Sequence, residues 1–245
     1  MAVGFRVRSV RGVQFRQWAN RHLTEYLRKG FVIDDERLKN PDGRPDYFDE
    51  LLDRIRSIRA SEKRFYQKVR DLFKLSVDYD ATDKATQMFF AATQNKLLYA
   101  VTGHTAAEIV MERAKADEPN MGLTSWKGSV VRKQDVIVAK NYLTADELDS
   151  LNRLVVIFLE MAEFRAKNRQ NLTMDYWREN VDKILDANEQ PILLGKGNVR
   201  NEQMEAYAHK VYDDFNARRK AQDALDADAE DMRELFELEQ EIKNR

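Results

Sequence analysis

The chain has 245 residues, 43% of them hydrophobic and 34% charged, with a net charge of −1, 9 glycines and 4 prolines. That length fills one large domain or two small ones, and so few turn residues favour helices over sheets. Cysteine is absent, which excludes disulfides, thiolate chemistry and Cys-ligated metals; no apolar run reaches the ~20 residues that span a bilayer, and no signal-peptide core opens the sequence, so a cytoplasmic protein with no membrane partner is expected.

The balanced total conceals two opposite blocks. Residues 1–33 carry Arg6, Arg8, Arg11, Arg16, Arg21, Arg28 and Lys29 against Glu25 alone, whereas residues 223–241 carry nine acids against Arg233 alone. One end is suited to polyanions such as DNA, and the other keeps the protein in solution.

Phe5 and Val7 alternate with Arg6 and Arg8 in a strand-like period of two. From Val13 the period becomes helical: Phe15, Trp18, Ala19, His22, Leu23, Tyr26 and Leu27 share one face, and Gly30 ends the helix. Turn chemistry over Asn40–Pro45 makes the first break. Leu51, Ile55, Ile58, Phe65, Val69 and Leu72 then keep a heptad-like spacing interrupted only by Glu62, which predicts one long helix. Such a seam either packs within its own domain or pairs with a second copy as a homodimer, and the residues leave both open.

A further helix is predicted from about Thr82 to Tyr99, stopped by Gly103. Thr105-Ala-Ala-Glu108 and Thr144-Ala-Asp-Glu147 are capping boxes that start helices at about Ala106 and just after Thr144. Residues 117–132 read as loop with at most a small hairpin near Gly128. Thr173 precedes a helix through Met174, Trp177, Val181, Ile184 and Leu185. After the Gly195-Lys-Gly197 punctuation, Asn198 is expected to cap a helix through Met204, Tyr207, Val211 and Phe215. The fold class is therefore all-α, a multi-helix core with one long heptad-like helix. The expected organisation is a basic segment (1–40), a helical core (41–222) and an acidic tail (223–245).

The stretch Gln94–Leu143 is the most specific in composition. Its polar residues suggest a site: His104 and Thr105 stand at a helix start whose amides attract anions, Lys127 and Arg132 lie in the adjoining loop, and Lys140 follows. A phosphate or carboxylate is the ligand such a group would take. The competing reading is that these polar groups tie loops to helix ends. With His22, His104 and His209 far apart and lacking ligand spacing, no metal is expected. There is no Walker-type glycine loop, and no cofactor is expected.

Gln94-Asn-Lys96, Thr105-Ala-Ala-Glu108, Trp126-Lys-Gly128 and Ala139-Lys-Asn-Tyr-Leu143, with Asp78-Tyr-Asp80 and Asn120-Met-Gly-Leu123, resemble the core of the bacterial RhuM family, named for virulence and often carried on mobile elements. The resemblance spans about Val3 to Phe215. Phe5-Arg-Val-Arg-Ser9, Phe15-Arg-Gln-Trp18 and Tyr26-Leu-Arg-Lys-Gly30 resemble the closing part of a Bro-N-type module, which implies DNA contact through Arg6, Arg8, Arg16, Arg21 and Arg28 and a chain that opens inside that module. Leu194–Arg200 is similar to the end of a Fic motif, but Gln190-Pro-Ile192 lacks the histidine that would serve as general base, so Fic chemistry is rejected. The resemblance implies a non-enzymatic accessory acting through DNA or protein partners. The alternative is a nucleotide- or anion-binding, toxin-like enzyme using residues 94–142.

Overall fold

A computed structural model describes residues 9–40, 42–79, 83–168 and 172–243, and its regular structure among these residues is entirely helical. The strand-like Phe5–Arg8 segment, with Arg6 and Arg8, lies outside the described residues, as do Asp80 and Thr82. The chain divides into two compact units, Met1–Arg54 and Ile55–Arg245.

In the first unit, α1 (Val10–Lys29) is capped at both ends as its sequence demands. Ser9 Oγ accepts the Gly12 N–H at 3.1 Å, and Gly30, at φ +82°, donates to the Tyr26 carbonyl. A left-handed residue there is cheapest as glycine. The short α2 (Asp35–Lys39) starts where Asp34 accepts the Arg37 N–H. Ala19 is the only fully buried residue among those described in this unit, and Phe15, Trp18, Leu23 and Tyr26 on α1 are exposed.

The run read as one helix over 51–72 is two: α3 (Phe48–Ala60) and α4 (Glu62–Phe73). At Ser61 ψ turns to 137°, its N–H and hydroxyl both donate back to the Ile58 carbonyl, and its own carbonyl accepts the Phe65 N–H. A serine that satisfies its own backbone in this way competes with helix continuation. The seam divides with the helix. Phe65, Val69 and Leu72 are buried in this chain's own core, while Ile55 and Ile58 are exposed, so the later half is internal packing and is not available to a second copy.

Around α4 the second unit gathers α5 (Asp83–Thr102), α6 (Ala106–Arg113), α7 (Ala145–Lys167), α8 (Met174–Ala187) and the first part of α9 (Asn201–Lys243). An aromatic stack forms its centre: Phe65 lies 5.3 Å from Phe90 and 5.9 Å from Phe158, and Phe73 lies 4.6 Å from Phe89. Trp177, wholly buried, donates its indole N–H to Ser76 at 2.8 Å. Burial of such rings dominates the stabilising area of a core this size.

Gly103, Thr144 and Thr173 end and start helices where expected. Residues 128–130 form bends and no hairpin strand. Asn198 does not cap the last helix. Its N–H donates to Glu108 at 2.7 Å, and α9 begins three residues later, where Arg200 N–H meets Gln203 Oε1. The acidic tail continues α9 without a break.

Candidate functional site

The start of α6 is closed by its own side chains. Thr105 donates both its N–H and its hydroxyl to Glu108 Oε2, at 2.8 and 2.9 Å, and the next amide, Ala106, donates to Asn95 Oδ1 at 3.0 Å. The second carboxylate oxygen of Glu108 accepts the Asn198 N–H. Gly197 covers the corner so closely that a Cβ there would stand 2.6 Å from Thr105 Cγ2. Burial pushes the Glu108 carboxyl up, but the hydrogen bonds from Thr105 and Asn198 outweigh it and hold the group below its ordinary range. The anion that a helix start attracts is therefore Glu108 itself. His104 turns away: its Nδ1 stands 2.9 Å from the Thr102 carbonyl, an acceptor only, and its Nε2 is 3.4 Å from Glu112.

The rest of the block is tied in the same manner. Arg113 grips Glu147 with two hydrogen bonds of 2.6 and 2.7 Å and donates to the Tyr142 carbonyl at 2.9 Å. The Arg113 hydrogen bond, with help from the Thr144 amide, holds the Glu147 carboxyl at about 2. Tyr142 donates its hydroxyl to the Val136 carbonyl, and burial raises its pKa. Asn141 donates from Nδ2 to the Asp135 carbonyl, while Asp135 Oδ2 accepts the Arg132 N–H. Lys96 pairs with Asp182 at 2.6 Å, joining α5 to α8. Lys140 Nζ stands 3.5 Å from the Ala60 carbonyl at the α3–α4 break; burial lowers its pKa and Glu62 opposes that shift.

Of the five residues expected to hold a ligand, Thr105 is buried, His104 and Lys140 are half-buried, and Lys127 and Arg132 are exposed. Among the described residues no hydrogen bond or ion pair joins any two of them. Sequence reasoning placed Glu147 in a capping box and Asn198 at a helix start but missed their bonds to Arg113 and Glu108, because those partners are distant in sequence. A surface groove of about 1040 Å³ runs along α4 between Glu62, Tyr66, Arg70 and Phe90, but none of the five lines it. Its acids (Glu62, Asp71) and bases (Lys63, Arg70) offset one another, so it selects no sign of ligand charge.

The other expected surface is on α1. At 100° per residue, Gln17, Asn20, Arg21, Thr24 and Arg28 fall on the side opposite Phe15, Ala19, His22 and Tyr26. Asn20, Arg21, Thr24 and Arg28 line one shallow concavity with Glu25 and Lys29, and all but Glu25 are exposed. The lone acid, Glu25, is occupied by Lys29 at 2.5 Å, which holds its carboxyl below the usual range. Arg11 is exposed and Arg16 is half-buried on the same helix.

Fold and surface together define an all-α protein in whose central block Thr105, Glu108, Arg113, Asn141 and Glu147 are bonded to helix ends and loops, and whose first helix presents a basic, amide-bearing side. No helix among the described residues is long and apolar enough to cross a membrane. The chain belongs to the virulence protein RhuM family, whose sequence pattern matches residues 1–223. No curated protein and no solved structure matches it.

Proposed function

We propose that this RhuM-family protein is a non-enzymatic accessory that acts by binding duplex DNA through the polar side of α1. The observation that carries the reading is the combination on that side of Arg21 and Arg28, one heptad apart, with Asn20, Thr24 and Gln17 between them. Guanidinium groups contact phosphates and guanine edges, and amides suit adenine edges. Two helical turns of such residues match the reach of one groove. The apolar side of the same helix faces away and leaves that surface unobstructed. Within residues 94–142 the bonding of Asn95, Thr105, Glu108, Arg113 and Asn141 to helix ends and loops supports the same reading, although Lys127 and Arg132 stand exposed.

Fluorescence anisotropy with labelled duplex DNA tests the reading. The wild-type chain binds, and Arg21→Ala/Arg28→Ala weakens binding at least tenfold while circular dichroism is unchanged. Equal affinity in the double variant overturns the assignment of this surface.

A further inference from the structure

Two cations of the central block are uncommitted. Among the lysines and arginines of residues 94–142, Lys96 pairs with Asp182, Arg113 with Glu147, Lys115 with Glu118 and Lys133 with Asp213, while Lys140 meets the Ala60 carbonyl. Lys127 and Arg132 are both exposed, and neither side chain makes a hydrogen bond or ion pair among the described residues. They stand together. A Cβ on Gly128 would lie 3.7 Å from Arg132 Nη2, so that guanidinium rests beside the turn that carries Lys127.

The loop that bears them is fixed at both ends. Trp126 packs half-buried against the core, and Val131 is buried. The Val131 carbonyl accepts from the Tyr212 hydroxyl at 3.4 Å and from Arg219 at 3.3 Å, which straps the loop to α9. Between these anchors Lys127, Gly128, Ser129 and Val130 are exposed, and their amides make no hydrogen bond within the chain among the described residues. From Trp126 to Gln134 there is no acid. The loop thus offers cations, free N–H donors and a hydroxyl, without a competing carboxylate, and these are the groups that contact phosphate. Sites for small molecules are concave, whereas this loop stands out in solvent, which suits the phosphates of an extended polyanion.

We propose that residues 127–132 are a second phosphate-contacting surface for duplex DNA, with Lys127 and Arg132 against the backbone and the free amides between them as further donors. The α1 surface lies in the first unit and this loop in the second, so each unit carries its own contact. Two contacts in one chain raise each other's effective concentration on a single duplex, and the joint affinity exceeds that of either. The choice of DNA rests on the reading of α1; the loop's suitability for phosphate does not. Phosphate contacts carry no direct sequence information, so the loop adds affinity while base preference stays with α1.

Anisotropy with the full chain and labelled duplex DNA separates the two surfaces. Lys127→Ala/Arg132→Ala, with unchanged circular dichroism, weakens binding about fivefold or more and flattens the slope of log affinity against log salt by about two. The ranking of duplex sequences stays as in the wild type. Lys115→Ala/Lys183→Ala removes the same charge from side chains already paired with Glu118 and Glu179, and binds as the wild type does. Undiminished affinity in the loop variant overturns the proposal even where Arg21→Ala/Arg28→Ala weakens binding. Weakening in the loop variant alone upholds it and removes the α1 reading. Equal loss in the Lys115/Lys183 control reduces the effect to net charge and overturns it. So does a loop variant that keeps its DNA affinity and loses only a rise in melting temperature caused by inorganic phosphate, which would mark a small-anion site.

Discussion

Arg113 and Glu147 meet through two parallel hydrogen bonds of 2.6 and 2.7 Å, fastening the last turn of α6 to the first turn of α7. Glu147 also accepts the Thr144 N–H at 2.8 Å, while its own amide donates to the Thr144 hydroxyl. One carboxylate thus caps its own helix and anchors a second.

Because that carboxyl is held at about 2 instead of the ordinary 4.5, the folded protein binds a proton there more weakly than the unfolded chain does. The contribution is fully present above about pH 4.5 and is lost as pH falls towards 2, amounting to about 3 kcal/mol. Denaturant titrations across that range should show Glu147→Gln less stable at neutral pH, with the gap to wild type closing on acidification. A gap constant with pH would mean that the ion pair adds nothing beyond packing.

Gly122 closes a left-handed turn. Asn120, Met121 and Gly122 all have positive φ, and a Cβ on Gly122 would lie 2.3 Å from the Arg113 carbonyl oxygen. Gly122→Ala should cost about 2–4 kcal/mol, since backbone clash adds to conformational strain. A melting temperature equal to wild type would refute the close approach.

Gly197→Ala acts at the other end of α6. The new methyl would meet Thr105 and lift the 197–198 backbone off Glu108. The loss is roughly 1–3 kcal/mol, a charge-assisted hydrogen bond plus local strain. In hydrogen exchange the Asn198 amide should lose protection ahead of the core amides of α8.

On DNA, Arg21→Ala/Arg28→Ala removes two phosphate contacts, and the slope of log affinity against log salt should flatten by about two. Asn20→Ala should leave that slope unchanged and reduce the spread of affinities among duplex sequences. The same slope in wild type and double variant would place the contacts elsewhere.

Helix starts and stops were the most legible part of the fold, because Thr144, Thr173, Gly30 and Gly103 act through neighbours within four residues. The break at Ser61 was not legible. The apolar seam continues through it in register, and only the serine's bonds to Ile58 divide the helix. The left-handed Met121 was equally hidden, since a buried side chain holds a non-glycine residue in a conformation its type does not announce. In the central block the residue types identified a specific region but not its use. Glu108 and Asn198, 90 positions apart, and Lys96 and Asp182, 86 apart, reveal their roles only once the chain has folded.

The bond between Glu108 and Asn198 also bears on how the chain is made. Synthesis proceeds from the amino terminus at about 5–20 residues per second, so the eight-residue α6, Ala106–Arg113, is made well before Gly197 and Asn198, which cover its start. Met204 and Ala208, which seal the same side, follow later still. Ile109 and Val110, fully buried in the finished protein, therefore wait for this cover while some 90 further residues are made. A nascent chain halted short of about residue 210 would hold its aromatic centre but leave this flank open to chaperones and proteases.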